Sequence, residues 1–186
     1  MRSISSAAIS PPDMDAPAAF APTEKVSRSY DFEGALPDPT TMMSMSGLDY
    51  LNALLRGEMP MAPISYTLNF WPAEFSHGRA VFIGEPQRYL YNPLGSVHGG
   101  WFATLLDSAL GCAVHTTLPA GKGYTTVDLS VSLVRAITER VKRVRCEATI
   151  VHAGGSIATA EGRITDEDGT LYAHGSTTCL ILSARR

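Results

Sequence analysis

Paired cysteines, metal-ligand spacings, long apolar runs and net basic charge are all missing from this chain of 186 residues. Each absence excludes something. Cys112, Cys146 and Cys179 stand far apart with no CxxC spacing. That pattern argues against a disulfide framework or a zinc site and fits a reducing compartment. The five histidines are scattered and form no HExxH pair, so neither a metal nor a cofactor is expected. The formal charge is −3. Nucleic acid needs a basic surface and is not an expected partner. Arg140, Lys142, Arg143 and Arg145 form a local basic stretch, which reads as a solvated strand face. No apolar run reaches the roughly 18 residues of a membrane span, so no membrane partner is expected. The N-terminus is polar and Pro-rich and shows no secretory h-region. A cytoplasmic location is the expectation.

What is present suits a folded core, with 45% apolar and 18% charged residues. Residues 1–46 are rich in Ala, Pro, Ser and Met, lack periodicity and read as a flexible N-terminal extension. Residues 47–186 form one domain. Leu48, Leu51, Leu54 and Leu55 fall three and four apart and predict a short helix over 47–56, stopped by Gly57. Strands are expected over 64–71 and 78–85. Trp101–Leu118 is long, almost uncharged and rich in Ala and Leu, which predicts a helix buried on all sides. Four more strands are expected over 125–136, 141–152, 156–166 and 170–182. In the first of them Val127, Leu129, Val131 and Leu133 alternate with Thr126, Asp128, Ser130 and Ser132. Glu167-Asp168-Gly169 reads as a hairpin turn. A helix apolar all round must be wrapped. An α+β fold follows, with one antiparallel sheet of about six strands curled around the long helix.

Asp107 is the single acidic residue of that helix, and a buried carboxylate is unfavourable unless paired. Such groups concentrate at functional sites, although a hydrogen-bonded structural Asp is the plainer reading. His98-Gly99-Gly100 stands just before the helix. Glycines there leave free N–H groups at the positive end of the helix dipole, where they can stabilise an oxyanion; a simple entry turn is the bland alternative. Gly100 and Asp107 are seven residues apart on nearly one helix face. They are separated by roughly 10 Å at 1.5 Å per residue. One helix cannot bring both to one carbonyl carbon. If both act on one substrate, two subunits with antiparallel helices supply them, and the protein is a homodimer. Asn92, in the loop before His98, carries a donor and acceptors. Thr126 could orient a water, and His98 could be a base or a turn residue.

The stretch Tyr91–Ala113, YNPLGSVHGGWFATLLDSALGCA, resembles the PaaI-type hotdog thioesterases in the spacing of Asn92, His98, Gly99, Gly100 and Asp107. Thr125-Thr126-Val127-Asp128, Gly154-Gly155-Ser156 and Asp168-Gly169 extend the likeness over about residues 47–183. The resemblance implies a hotdog fold, a dimer that pairs again into a tetramer, and hydrolysis of an acyl-CoA to an acid and free CoA without a metal. It implies that the Gly99 amide, with Gly100 near it, polarises the thioester carbonyl. Asp107 of the opposite subunit would be general base or nucleophile, Thr126 would hold the water, and Asn92 and His98 would shape the site. CoA would run past Leu133, Val134 and Arg135 and past His152, Gly154, Gly155 and Ser156. Arg135 would meet phosphate. The rival readings are a hotdog dehydratase and a non-catalytic acyl-CoA-binding protein.

Overall fold

The structure, a computed structural model, describes Leu36 and residues 38–183. Most of the segment read as an extension lies outside the described residues. Its end does not: α1 (Pro39–Ser44) forms where Asp38 accepts a hydrogen bond from the Thr40 amide at 3.0 Å. α2 (Gly47–Leu55) follows. Ser46 caps it by accepting from the Asp49 amide at 3.2 Å, and Gly57, at φ 75°, ends the turn beyond it, as the leucine spacing predicts.

The strand expected over 64–71 is displaced. Pro63 occupies the first turn of α3 (Pro63–Leu68), where its fixed φ suits a helix, and Asn69 in the left-handed region stops it. The alternation of Ile64 and Tyr66 imitates a strand, yet both side chains are exposed, at 47% and 51%. β1 (Phe70–Ser76) starts only after Asn69, and β2 (Arg79–Gly84) pairs with it across a turn at Gly78.

A single 3-10 turn at Arg88–Leu90 leads into a tied loop and then α4 (Gly99–His115). The remaining strands are β3 (Lys122–Leu133), β4 (Val144–Ala153), β5 (Ile157–Thr165) and β6 (Leu171–Ser183). The hairpin turn between β5 and β6 forms as expected: the Asp166 carboxylate accepts from the Asp168 and Thr170 amides, and Gly169 sits at φ 80°. Among the described residues all pairings are antiparallel, in one six-stranded sheet of order β1-β2-β4-β5-β6-β3. The sheet wraps α4. Leu105, Leu106, Ala109, Leu110, Ala113 and Val114 are wholly buried against it. Each large aliphatic side chain there contributes about 1.5–3 kcal/mol by leaving water. Trp101 fills the space above Gly84, where a Cβ would come within 2.8 Å of the indole, and its Nε1–H donates to Leu68 O at 2.7 Å.

β3 departs from simple alternation. Its pairing with β6 slips between Thr126 and Asp128, so Val127 bulges outward and is 59% exposed. Tyr124 and Thr126 precede the slip and face α4, whereas Leu129 and Val131 take over that face beyond it. Thr126 is thus moved from the polar face predicted for it to the inner one. On the outer face Arg145 bonds Glu74 and Glu147, and Arg143 bonds Glu85 at 2.7 Å. Those two members of the basic stretch are spent on surface pairs.

Candidate active site

The loop before α4 is held by its own polar groups. The Asn92 side-chain oxygen accepts from the Leu94 and Ser96 amides at 2.9 and 3.3 Å, and its Nδ2 donates to Ser96 Oγ. Val97 and His98 donate their amides to Ile137 O and Leu90 O. Asn92 is therefore a loop-shaping residue, fixing where α4 begins. His98 is the N-cap: its Nδ1 accepts the Gly100 N–H at 2.9 Å. That bond occupies the Gly100 amide. The Gly99 amide, at the first helical position, has no intrahelical acceptor and no other partner among the described residues. It opens beside a cleft lined by Asn92, Ser96, Leu133, Val134 and Arg135. A Cβ at Gly99 would come 3.0 Å from Leu133 Cδ1. The glycine keeps this approach open.

Arg135 is exposed and in no ion pair among the described residues, unlike Arg79, Arg143 and Arg145. Both the Val134 and Arg135 amides donate to Tyr172 O, so the chain turns off the sheet edge there and presents its side chains to the cleft.

Two turns further along α4, Asp107 is half-buried. Thr126 Oγ1 donates to its Oδ1 at 3.0 Å, and its other oxygen has no partner among the described residues. The β3 bulge makes this contact possible, because it turns Thr126 inward. Cys112, one turn on, is pushed up to about 12, by burial first and then by the Asp107 charge. It stays a thiol and offers no nucleophile. His115 is lowered to about 4 by burial and remains a neutral core residue. Asp107 is therefore the group of this helix face best placed to act on a substrate.

The remaining candidates lie elsewhere in the chain. His152 stands at the end of β4, and Gly154, Gly155 and Ser156 form the β4–β5 connection. There Gly154 N–H donates to Ile157 O at 2.9 Å, and Ser156 O accepts from Ile181 N–H at 2.8 Å. Ile181 pairs with Tyr124 at the start of β3, whereas Leu133 pairs with Ala173 at its far end. The predicted site residues therefore fall into three groups. The α4 N-terminus meets Leu133–Arg135 at one end of β3, Asp107 meets Thr126 near its start, and His152–Ser156 lies level with that start on the far side of β6. Gly111 and Tyr124 were not anticipated. The signal for them was a glycine in mid-helix, which often marks a close approach.

Residues 94–173 match the family model described as Thioesterase superfamily. A protein named "Putative esterase" from Halobacterium salinarum is 38% identical over 69 residues, and the matched segment spans 36% of this chain and 44% of that one. The chain thus matches less than half the length of that curated relative. A phenylacetic acid degradation-related protein from Ralstonia eutropha superposes with a TM-score of 0.64 at 26% identity, covering 70% of this chain and 98% of that one. The PaaI protein from the phenylacetic acid degradation operon of E. coli superposes with a TM-score of 0.64, covering 76% and 98%; at 17% identity it shows the fold alone. No helix among the described residues is long and apolar enough to cross a membrane.

Proposed function

We propose that this chain, a hotdog protein of the PaaI thioesterase type, hydrolyses an acyl-CoA to a carboxylic acid and free CoA at two sites shared across a homodimer. One observation carries the reading: the site residues are split in the same sense along two elements. Along α4, the free Gly99 amide and Asp107 are eight residues apart, roughly 12 Å at the helical rise. Along β3, Leu133–Arg135 and the His152–Ser156 turn flank opposite ends. A two-fold axis across the free edge of β3 reverses both elements at once. It brings each protomer's α4 N-terminus to Asp107 of the partner subunit, and sets its Leu133–Arg135 at the same end of the paired strands as the partner's β4–β5 turn, which lies across the partner's β6. β3 is long, lies at the sheet edge and exposes Val127 and Leu133, which is the kind of strand that pairs with another chain.

In such a site the thioester carbonyl accepts from the Gly99 N–H at the positive end of α4. As the carbonyl carbon becomes tetrahedral, the charge on its oxygen grows and this bond strengthens. Asp107 of the partner subunit, held by Thr126, takes a proton from the attacking water or attacks the carbon itself. Collapse of the adduct expels the CoA thiolate, leaving the free acid where water attacked and, where Asp107 attacked, a mixed anhydride that a water then hydrolyses to the acid and the regenerated carboxylate. The unpaired Arg135 meets a CoA phosphate. His98 serves as the cap that leaves the Gly99 amide free, and the three thiols stay reduced in the cytoplasm. Pairing of two such dimers into a tetramer is compatible with the polar outer sheet face.

The test is thiol release from a panel of aromatic and aliphatic acyl-CoAs, with wild type beside Asp107→Asn. Asn keeps the Thr126 contact and the shape. Loss of at least about a hundredfold in kcat is expected. Turnover near wild type in Asp107→Asn would remove the carboxylate from the mechanism. Tight acyl-CoA binding without turnover in wild type would favour a binding protein.

A further inference from the structure

In the protomer α4 leaves one stripe incompletely covered: Gly100, Ala103, Thr104, Asp107, Ser108 and Cys112. From Asp107 that stripe runs two ways. Towards the N-terminus it is polar and spent, with Thr104 Oγ1 bonded to Gly100 O and Ser108 Oγ to Thr104 O, each at 2.9 Å. Towards the C-terminus it reaches Gly111, which carries no side chain. The ring of Tyr124 occupies that place. A Cβ at Gly111 would come 2.8 Å from the phenol oxygen and 2.9 Å from Cε2, so only glycine lets the ring lie on the helix. Tyr124 stands two residues before Thr126 on the same inner face of β3, one helical turn beyond the Thr126–Asp107 bond. Its ring centroid is 5.4 Å from that of His115. Its hydroxyl has no hydrogen-bond partner among the described residues. Burial raises the phenol well above its usual range, with Cys112, Cys179 and Asp107 adding to the effect, so the ring is neutral. Behind the ring lies an apolar cleft between α1 and the start of β3, lined by Met42, Met43, His115 and Leu182.

We propose that Tyr124, seated on Gly111, is the end wall of the acyl pocket and restricts the substrate to short or single-ring acyl groups. This rests on the thioesterase reading above. A carbonyl carbon held at Asp107 has one helical turn of depth, about 5–6 Å, before the ring. That depth holds a phenyl group or a short chain. A longer chain meets the aromatic face, because the route into the cleft under Met42 and Met43 is closed by the ring. The wall is built from two elements, the ring from β3 and its glycine seat from α4, and α1 lines the cleft behind it.

The experiment is a profile of kcat/KM across acetyl-, butyryl-, hexanoyl-, octanoyl-, decanoyl-, benzoyl- and phenylacetyl-CoA. Wild type is compared with Tyr124→Ala and with the gentler Tyr124→Leu, all checked by thermal melting. Wild type is expected to favour short-chain or aryl substrates. Tyr124→Ala is expected to move the aliphatic optimum by several carbons, with octanoyl-CoA gaining at least about tenfold relative to butyryl-CoA, which one or two methylenes newly accommodated in an apolar pocket suffice to give. Tyr124→Leu should move it in the same direction by less, and it carries the test if the alanine variant fails to fold. An unchanged profile in a folded, active variant would overturn the wall, and so would a wild-type preference for decanoyl-CoA. Absence of turnover by wild type on every thioester would instead overturn the thioesterase reading, and this inference with it.

Discussion

The first turn of α4 and its middle are built by different means. The first turn is mostly local: Asn92, Ser96 and His98 bond within a few residues, Val97 alone reaches a distant carbonyl at Ile137, and the result is a helix start with one amide left free. The middle is non-local. Asp107 is held by Thr126, nineteen residues later, and only because β3 slips its register against β6. The difference is one of specification. A helix terminus carries its own capping chemistry. A carboxylate in an apolar helix depends on whatever the sheet delivers to it.

That comparison can be broken by experiment. The largest effect is expected at the free amide. Gly99→Pro removes that N–H at a first helical position where Pro is well tolerated and after a residue already extended at ψ 139°, and it also adds a ring whose Cβ comes 3.0 Å from Leu133 Cδ1, so Gly99→Ala, which adds the Cβ and keeps the N–H, is measured beside it. Loss of about 10²–10³ in kcat is expected from a missing oxyanion donor, with the fold kept. A kcat within threefold of wild type would show that the amide does not meet the substrate. Next comes Thr126→Val, which keeps the shape and deletes the donor to Asp107. A drop of roughly tenfold in kcat is expected, the size of one misdirected hydrogen bond. No change would mean that the bulge holds Asp107 for packing alone. The smallest effect belongs to His98→Ala. Losing the cap costs about 1 kcal/mol of stability, read by denaturant melts, while kcat stays within about tenfold. A fall of a hundredfold or more there would make His98 a catalytic base and reverse its assignment as a cap.

The same contrast explains what was legible in the sequence. The long helix, the turn between β5 and β6 and the strands β2 to β6 follow from periodicity and turn chemistry, whereas β1 lies about six residues later than its expected place. α3 was misread as a strand because Ile64 and Tyr66 alternate like one, while Pro63 at the helix start and Asn69 at its end decide the outcome. The β3 bulge left no mark in the sequence. Thr126 seemed to share the outward face of Ser130 and Ser132, and only the pairing with β6 turns it towards Asp107. Asp107 and His98-Gly99-Gly100 stood out by composition and position. The division of the predicted CoA-contact residues between the two ends of β3 needed the sheet order. Tyr124 was passed over because an aromatic residue entering a strand is ordinary, and its contact with Gly111 is tertiary.

The central claim is that the amide and the carboxylate of one site come from different subunits. It is tested most directly by mixing Gly99→Pro and Asp107→Asn protomers, unfolding and refolding them together, and measuring thiol release. In a shared site, each heterodimer contains one position with both intact groups. Random pairing makes about half the dimers mixed, so the mixture should recover about a quarter of wild-type activity. Activity that stays at the average of the two separate variants would contradict a site shared across two subunits.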